Sequence, residues 1–330
     1  MRSYVIRRLL LCIPTLFLVA VLVFLTVRFI PGTVIDLMVA EMSQEASLGQ
    51  EISVEYIKQS LGLDQPIHVQ FLRWLGVMPQ KDGKVSGVVE GDLGKSLWSG
   101  RSITGEMAAK IPISLELGAL AILTGLIVAL PIGIWSAIRQ DTWGDYAGRT
   151  FAILAISLPG FWLATMVIVY PSIWWGWSPS MEYIPFTKDP AGNFIQFIIP
   201  AVILGLVFSG GTMRMVRTMM LEVLRQDYIR TAWSKGLNER TVILRHALKN
   251  ALIPVVTIVG SQLPILVGGA VVEEQIFALP GVGRYLIDAI NRRDYPIISG
   301  VNLIIATVIL MANLFIDLTY AWLDPRVQYK

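Results

Sequence analysis

Charged residues are scarce in this chain: they make up 15% of its 330 residues, whereas about 25% is usual in a soluble domain. Hydrophobic residues reach 54%, and the mean hydropathy is +0.61. This balance excludes a soluble enzyme and a disordered chain. It also argues against an outer-membrane barrel, whose alternating strands are only weakly apolar. The composition therefore predicts an all-α protein with several membrane-spanning helices.

Cysteine and histidine are also rare. The single cysteine, Cys12, excludes a disulfide framework, and together with His68 and His246 it leaves too few ligands for a zinc site. Residues 94–96 (Gly-Lys-Ser) resemble the end of a phosphate-binding loop, but Val89 stands where that motif requires glycine. No histidine-based metalloprotease motif and no serine nucleophile elbow is present. We therefore expect no catalytic, metal or cofactor-binding residue, so that the chain is not itself an enzyme.

Six apolar stretches reach about 20 residues, the length that a membrane-spanning helix needs. They are Leu9–Ile30, Ile113–Ile138, Phe151–Tyr170, Phe194–Gly211, Ala251–Val272 and Ile297–Leu323. The first is too long for the apolar core of a signal peptide, and no small-residue cleavage site follows it, so it is predicted to remain in the protein. We divide the chain into an N-terminal transmembrane helix (1–30), an extracytoplasmic loop (31–110) and a five-helix core (111–330).

The distribution of Lys and Arg predicts the orientation. If both termini are cytoplasmic, the inner segments 1–8, 139–150, 213–249 and 324–330 carry 15 basic and 6 acidic residues, a net charge of +9. The outer segments 31–110, 171–193 and 273–296 carry 11 basic and 16 acidic residues, a net charge of −5. The positive-inside rule therefore places both termini in the cytoplasm of a multi-pass protein of the plasma or inner membrane.

The largest inner segment, 213–249, has helical periodicity. A stripe of apolar residues at spacings of 3, 4 and 4 predicts a helix over 222–235; its members are Leu221, Leu224, Tyr228 and Ala232. The pairs Glu222–Arg225 and Asp227–Arg230 suit a solvated opposite face. Gly236 is expected to end this helix in the left-handed conformation, and Asn238 to cap the next one. Such a helix is compatible with three roles: lying on the lipid surface, connecting two spans, or docking a cytoplasmic partner.

Read as a string, this segment resembles the coupling region of permease subunits of binding-protein-dependent ABC importers, in particular the dipeptide, oligopeptide and nickel subgroup. The matching strings are Asp227 to Ala232, Lys235-Gly236-Leu237 and His246 to Pro254. Residues 233–234 (Trp-Ser) depart from the Arg-Ala common in this subgroup. Further matches occur in order along the chain: 4–10, 31–32, 61–66, 91–96, 276–283, 294–296, 317–320 and 323–326.

The resemblance implies the type I ABC importer permease fold, with a cytoplasmic coupling helix and a long outer loop. It also implies these partners: a second permease subunit that is related but not identical, two ATPase subunits that bind ATP and Mg²⁺, and an extracytoplasmic solute-binding protein. The implied function is import of di- or oligopeptides. Oligosaccharide or nickel-chelate cargo and a scaffold that moves no solute remain open as alternatives.

The site residues that this resemblance implies fall into three groups. Contact with the ATPase subunits is expected from the segment 222–237, which we call the coupling segment, through Arg225, Asp227, Tyr228, Thr231, Ala232, Lys235, Gly236 and Leu237. The solute path or its gate is expected where the fifth span is interrupted, at Pro254, Pro264, Gly268 and Gly269. Contact with the solute-binding protein is expected at Trp74 and Asp92, beside short amphipathic helices predicted at Gln59–Leu63 and Ile67–Leu75.

Overall fold

The computed structural model describes residues 2–28, 64–80, 83–180, 182–262 and 271–323. Throughout these ranges the ordered elements are helices, and β-structure is limited to an isolated bridge between Lys95 and Ser102. The helices are α1 (Arg2–Arg28), α2 (Ile67–Leu75), α3 (Ile103–Ile138), α4 (Trp143–Ser157), α5 (Gly160–Trp175), α6 (Pro190–Leu224), α7 (Asp227–Ser234), α8 (Glu239–Ala251), α9 (Ile253–Ser261), α10 (Val271–Ile276), α11 (Val282–Asn291) and α12 (Tyr295–Leu323). The predicted all-α class is confirmed.

Four of the described helices are long and apolar enough to cross a membrane unaided: Ile6–Thr26 within α1, all of α3, all of α6, and Tyr295–Ile316 within α12. Two bent pairs, α4 with α5 and α8 with α9, also have sufficient length and apolarity. If each bent pair forms one span, the total is six, in agreement with the sequence. The chain is therefore a multi-pass membrane protein.

Proline explains why two predicted spans are bent. Pro159 follows Leu158, whose backbone is extended (φ −82°, ψ 122°), and the helices on either side meet at 91°. A residue that precedes proline avoids the helical conformation, because the proline ring clashes with it. The prediction of one continuous helix over Phe151–Tyr170 was therefore wrong. In the fifth span, α8 and α9 meet at 48° just before Pro254. Residues 263–270, which include Pro264, Gly268 and Gly269, lie outside the described ranges, as does the predicted helix Gln59–Leu63.

Helix α3 begins ten residues before the predicted start of the second span. Its first turns are amphipathic: Ile103 and Met107, one turn apart, are 0% and 1% exposed. They pack with Val282 and Val301 in one buried cluster. Hydropathy indicated only the fully apolar part of α3. The turns before Pro112 are also helical, because their apolar side chains are buried in this separate cluster.

The chain divides into two compact units. One comprises Met1–Pro112, Gly281–Leu314 and Leu318–Lys330; the other comprises Ile113–Pro280 and Phe315–Asp317. In the first unit, Phe24 of α1 packs against Phe71 and Trp74 of α2, with ring centroids 5.1 and 5.6 Å apart. The second unit has one buried cluster around Leu117, Phe197 and Leu279, and another that includes Val216 and Met220 of α6. This second cluster supports the coupling segment.

Candidate functional site

The coupling segment contains a short helix, α7, between the long helix α6 and the helix α8. The backbone of Gln226 is extended (φ −72°, ψ 147°), which separates α7 from the end of α6. Two α7 side chains, Ile229 and Ala232, are 0% and 6% exposed. They share a buried cluster with Val216 and Met220 of α6 and with Val242 and Ala247 of α8. Helix α7 is thus anchored to both of its neighbours.

The predicted helix over 222–235 was wrong over residues 222–226. Helix α6 continues to Leu224 because Met213, Val216 and Met220 keep one of its faces buried at helical spacing. The chain then turns at residues 225–226, and α7 has only eight residues. Leu221 and Leu224 consequently belong to α6, and the predicted apolar stripe does not form one helix face. Ile229, the residue that α7 buries most completely, does not belong to the predicted stripe.

The other predicted contact residues lie on the surface. Arg225, Asp227, Tyr228, Thr231, Lys235 and Gly236 are exposed, and Leu237 is partly buried. Ala232 differs, since it faces the protein's own core and is not available to a partner. Trp233, which departs from the subgroup pattern, is 45% exposed beside this surface. Of the two predicted ion pairs in the coupling segment, Asp227–Arg230 forms at 3.5 Å between exposed side chains. The exposed part of α7 therefore presents aromatic and charged groups together.

Tyr228 also holds α7 to α8 through its hydroxyl group. That hydroxyl accepts a hydrogen bond from Nδ2 of Asn250 at 2.8 Å and donates one to the carbonyl oxygen of His246 at 3.5 Å. Tyr228 nevertheless remains 43% exposed, so part of this residue is accessible to a partner. The contact residues Asn250 and His246 fall in the matched string 246–254, but sequence spacing alone did not indicate that they meet Tyr228.

Two local predictions in the coupling segment are confirmed. Gly236 has φ +75°, the left-handed conformation that glycine adopts at least cost. Two residues later, the side chain of Asn238 accepts a hydrogen bond from the backbone N–H of Thr241 at 2.9 Å and caps α8. The exit from α7 and the entry to α8 are therefore both set by local chemistry.

A buried ion pair lies at the end of α6 that leads toward the coupling segment. Asp145 of α4 is fully buried, and its carboxylate accepts hydrogen bonds from Nε and Nη2 of Arg217, each at 2.7 Å. The hydroxyl of Ser136 on α3 donates to the same carboxylate, as does the backbone N–H of Asp141 at 3.1 Å. Asp145 and Arg217 are 72 residues apart, and no spacing along the sequence indicates that they pair. The cluster joins α3, α4 and α6 beside the coupling segment.

Comparison with known proteins agrees with this arrangement. The family described as the inner membrane component of binding-protein-dependent transport systems matches residues 129–329. The N-terminal region of such membrane components matches residues 1–118. This chain belongs to that permease family.

Similar proteins match this permease over its whole length. A protein of Brucella abortus (strain 2308), whose name describes a peptide transport system permease, is 37% identical over 329 residues and covers 100% of both chains. The glutathione transport system permease protein of Salmonella paratyphi A is 36% identical, again covering 100% of both chains. The dipeptide transport system permease protein of Escherichia coli (strain K12) is 36% identical with the same coverage. The family resemblance drawn from the sequence is confirmed.

In this permease, the two residues expected to contact a solute-binding protein have different surroundings. Trp74 is partly buried against Phe24 and Phe71. Asp92 is exposed, accepts a hydrogen bond from Ser86 Oγ at 2.6 Å and accepts another from the backbone N–H of Gly94 at 2.9 Å. The hydrogen bond from Ser86, followed by that from Gly94, holds the pKa of the Asp92 carboxyl below its ordinary value. Asp92 thus organises its loop while remaining accessible.

Asp294 forms a second fixed point in the same unit. It is 2% exposed, and its carboxylate accepts a hydrogen bond from Ser96 Oγ at 2.6 Å and others from the backbone N–H of Leu97. Trp98 Nε1 also donates to the carbonyl oxygen of Arg292 at 2.9 Å. Residues 96–98 of the predicted outer loop are therefore fastened to the connection between α11 and α12, a contact between segments almost 200 residues apart.

The described part of the predicted solute path begins at Pro254. This residue occupies the first turn of α9, where its missing N–H costs no helical hydrogen bond. Its neighbours Ile253 and Val256 are exposed. Farther along, Glu274 of α10 is fully buried and accepts a hydrogen bond from Ser114 Oγ of α3 at 2.6 Å. Glu274 lies just beyond the predicted end of the fifth span at Val272, so hydropathy did not indicate a buried acid here.

Proposed function

We propose that this permease is one of the two membrane-spanning subunits of an ATP-driven importer of di- or oligopeptides. It receives solute from an extracytoplasmic binding protein and pairs with a second, related permease subunit. Two cytoplasmic ATPase subunits bind ATP and Mg²⁺ and dock on the coupling segment. The permease lies in the plasma or inner membrane, with both termini in the cytoplasm.

The observation that carries this proposal is the way α7 is anchored. Ile229 and Ala232 insert into the same cluster as α6 and α8, while Tyr228 and Thr231 face outward. Close-packed interiors move as discrete units and resist smooth deformation. A displacement applied to the exposed face of α7 is therefore transmitted to both helices that flank it, α6 and α8. A surface helix whose only partner is lipid needs no such connection.

Charge distribution supports the orientation. Among the described residues, the coupling segment and the stretch that follows it expose Arg225, Arg230, Lys235, Arg240 and Arg245. Such an excess of basic residues between two spans is typical of a cytoplasmic segment. The predicted outer segments instead have an acidic excess, which suits a face that contacts a separate binding protein.

The cargo assignment is supported by the names of the relatives, which describe peptide, dipeptide and glutathione transport. The long helices contain few ionisable residues, so the permease is expected to offer a lightly polar passage. The binding protein then determines which solute is taken up. A lightly polar passage accommodates peptides whose side chains differ in charge and size.

Uptake into proteoliposomes tests the proposal. The complete transporter is reconstituted with ATP inside, and labelled dipeptides and tripeptides are added outside with the binding protein. Peptide accumulation that requires ATP hydrolysis supports the proposal, with a non-hydrolysable ATP analogue as the control. Uptake of an oligosaccharide or a nickel chelate in place of peptide would overturn the cargo assignment. Partner binding without uptake of any of these solutes would indicate a scaffold.

A further inference from the structure

A cavity of about 200 Å³ lies between residues 96–99 and the last turns of α11. That volume is well above the roughly 10–15 Å³ that one water molecule needs. The cavity belongs to a single compact unit, and all of it is formed by segments other than the solute path. Its lining includes two aromatic residues, a hydroxyl group and three charged residues, namely Trp98, Tyr285, Ser99, Asp288, Arg292 and Asp294. It is therefore large enough, and polar enough, to hold a small organic molecule.

Two lining residues of opposite charge are both available to a ligand. Asp288 and Arg292 lie one helical turn apart at the end of α11, and both are exposed. In the same unit, Glu106 pairs with Arg101 and with Lys110. Within the described ranges, by contrast, neither Asp288 nor Arg292 takes part in an ion pair. One wall of the cavity thus offers an acid and a base to a molecule that carries both charges.

The inner part of the cavity favours positive charge. Asp294 is 2% exposed, and its carboxylate accepts hydrogen bonds from neutral donors, the Ser96 hydroxyl and the backbone N–H of Leu97. It forms no ion pair in the described part of the chain. Burial, followed by the nearby carboxylates of Glu106 and Asp294, raises the pKa of Tyr285 to about 12. The phenol of Tyr285 therefore stays neutral, and the carboxylate of Asp294 leaves a negative potential for an ammonium group.

The wall opposite α11 is held in place by its own hydrogen bonds. Trp98 Nε1 donates to the carbonyl oxygen of Arg292 at 2.9 Å. The hydroxyl oxygen of Ser96 accepts from the backbone N–H groups of Trp98 and Ser99 at 3.2 and 3.0 Å. An aromatic ring beside a carboxylate is a frequent arrangement for binding an ammonium group. Because these contacts are already formed, a ligand would not have to order this wall on binding.

We propose that this cavity binds a dipeptide zwitterion, with its ammonium group at Asp288 and its carboxylate at Arg292. Both contacts are charge-assisted hydrogen bonds. Four residues of helix rise about 6 Å, whereas an extended dipeptide spans about 7 Å and a single amino acid about 3.5 Å. The spacing of Asp288 and Arg292 therefore suits a dipeptide. The choice of a peptide over other zwitterions of this length rests on the proposed function.

Binding of dipeptide derivatives tests both contacts. The complete transporter is purified in detergent without binding protein or ATP, and ligands are titrated by saturation-transfer NMR. The probes are alanyl-alanine, its N-acetyl derivative, its C-terminal amide and free alanine. We expect each derivative to bind about tenfold more weakly than alanyl-alanine, because each loses a hydrogen bond between charged groups. Equally tight binding of either derivative, or of free alanine, would overturn the proposal.

Two variants assign the contacts to particular residues. Asp288→Asn should remove the preference for alanyl-alanine over its N-acetyl derivative, and Arg292→Gln should remove the preference over the amide. A merely structural change would weaken all the probes equally and keep both preferences. The matched controls Glu90→Gln and Arg293→Gln alter residues that do not line the cavity, and both should keep the two preferences. Loss of the preferences in the controls would show a general charge effect and overturn the proposal.

The same variants separate this site from the proposed function. If the transporter takes up peptide but Asp288→Asn and Arg292→Gln keep both preferences, the cavity assignment is wrong and the proposed function stands. If the two variants weaken only the binding of the solute-binding protein, the cavity holds a protein side chain, and the dipeptide assignment also fails. Dipeptide binding with both preferences, in a transporter that takes up no peptide, would support the cavity and refute peptide import.

Discussion

The carboxylate of Asp145 and the guanidinium group of Arg217 form a two-point ion pair, with both N···O distances at 2.7 Å. Asp145 is fully buried, and 72 residues separate it from Arg217. The pair fixes α4 against α6, and α6 leads directly into the coupling segment. The ion pair therefore lies on the part of α6 that would transmit a displacement of α7 to the membrane-spanning helices.

We expect Asp145→Asn to destabilise the protein markedly. Removing one partner of a buried ion pair leaves the other charge uncompensated and typically costs about 3 kcal/mol or more. The matched control is Asp227→Asn, which breaks an ion pair of 3.5 Å between exposed side chains and should cost about 1 kcal/mol or less. Melting temperatures in detergent measure both effects. Equal shifts in the two variants would contradict a structural role for the buried pair.

The anchoring of α7 is expected to depend more on Ile229 than on Tyr228. Ile229 is fully buried, and Ile→Ala substitutions in cores cost about 2–5 kcal/mol. Tyr228→Phe removes only the hydroxyl group shared by Asn250 and His246, which is expected to cost about 1 kcal/mol. Hydrogen exchange of the backbone amides in 227–235 should therefore accelerate strongly in Ile229→Ala and slightly in Tyr228→Phe. The reverse order would show that the hydroxyl contact, and not the buried side chain, holds α7.

Gly236→Ala tests the left-handed turn that ends α7. A Cβ atom at this position would meet no atom within 4 Å, so any cost comes from the backbone at φ +75°. That cost is about 1–2 kcal/mol. Gly211→Ala is the matched control, because Gly211 also has open space around it but lies within α6, where alanine is favoured by about 1 kcal/mol. We expect opposite changes in melting temperature; a loss of stability in both variants would refute the backbone explanation.

The lowered pKa of Asp92 predicts that the loop around it becomes less stable in acid. Because the folded state lowers the pKa of this carboxyl, the stabilisation is complete above the ordinary value near 3.8 and is lost as the pH falls through the folded-state pKa. Pepsin digestion should therefore cleave residues 83–104 more readily only in strong acid. In Asp92→Asn the loop should be less protected at every pH and lose this acid dependence. Glu90→Gln, a change in an exposed neighbour, should keep the acid dependence of the unmodified loop.

The sequence predicted best what depends on composition and local conformation. Apolar length identified the membrane spans, the glycine at 236 predicted a left-handed turn, and Asn238 predicted a helix cap. The bend at Pro159 also had a local signal, in the conformation that proline imposes on the residue before it, but apolar continuity was given more weight. Helix α7 was placed in the right segment with the wrong start, because the buried face of α6 extends its helix past residue 222.

Contacts between distant segments were not predictable in the same way. Asp145 with Arg217, and Ser96 with Asp294, depend on which helices become neighbours, and no spacing along the chain encodes that. Ser114 and Glu274 illustrate the same limit, since each reads as an ordinary polar residue at the end of a span. In physical terms, the local parts of the site follow from backbone preferences, whereas its buried polar pairs follow from tertiary packing.

Cross-linking from Thr231 tests the central claim, that the exposed face of α7 docks an ATPase subunit. In a Cys12→Ser background, Thr231→Cys is labelled with a short photo-activated cross-linker in membranes that contain the whole transporter. We expect a cross-linked product containing the ATPase subunit, with a yield that changes when ATP is added. Ser99→Cys on the predicted outer loop should give no such product. Docking of an ATPase subunit on α7 would be contradicted if Thr231→Cys yields no ATPase product, or if a membrane-impermeant reagent labels it from outside the cell.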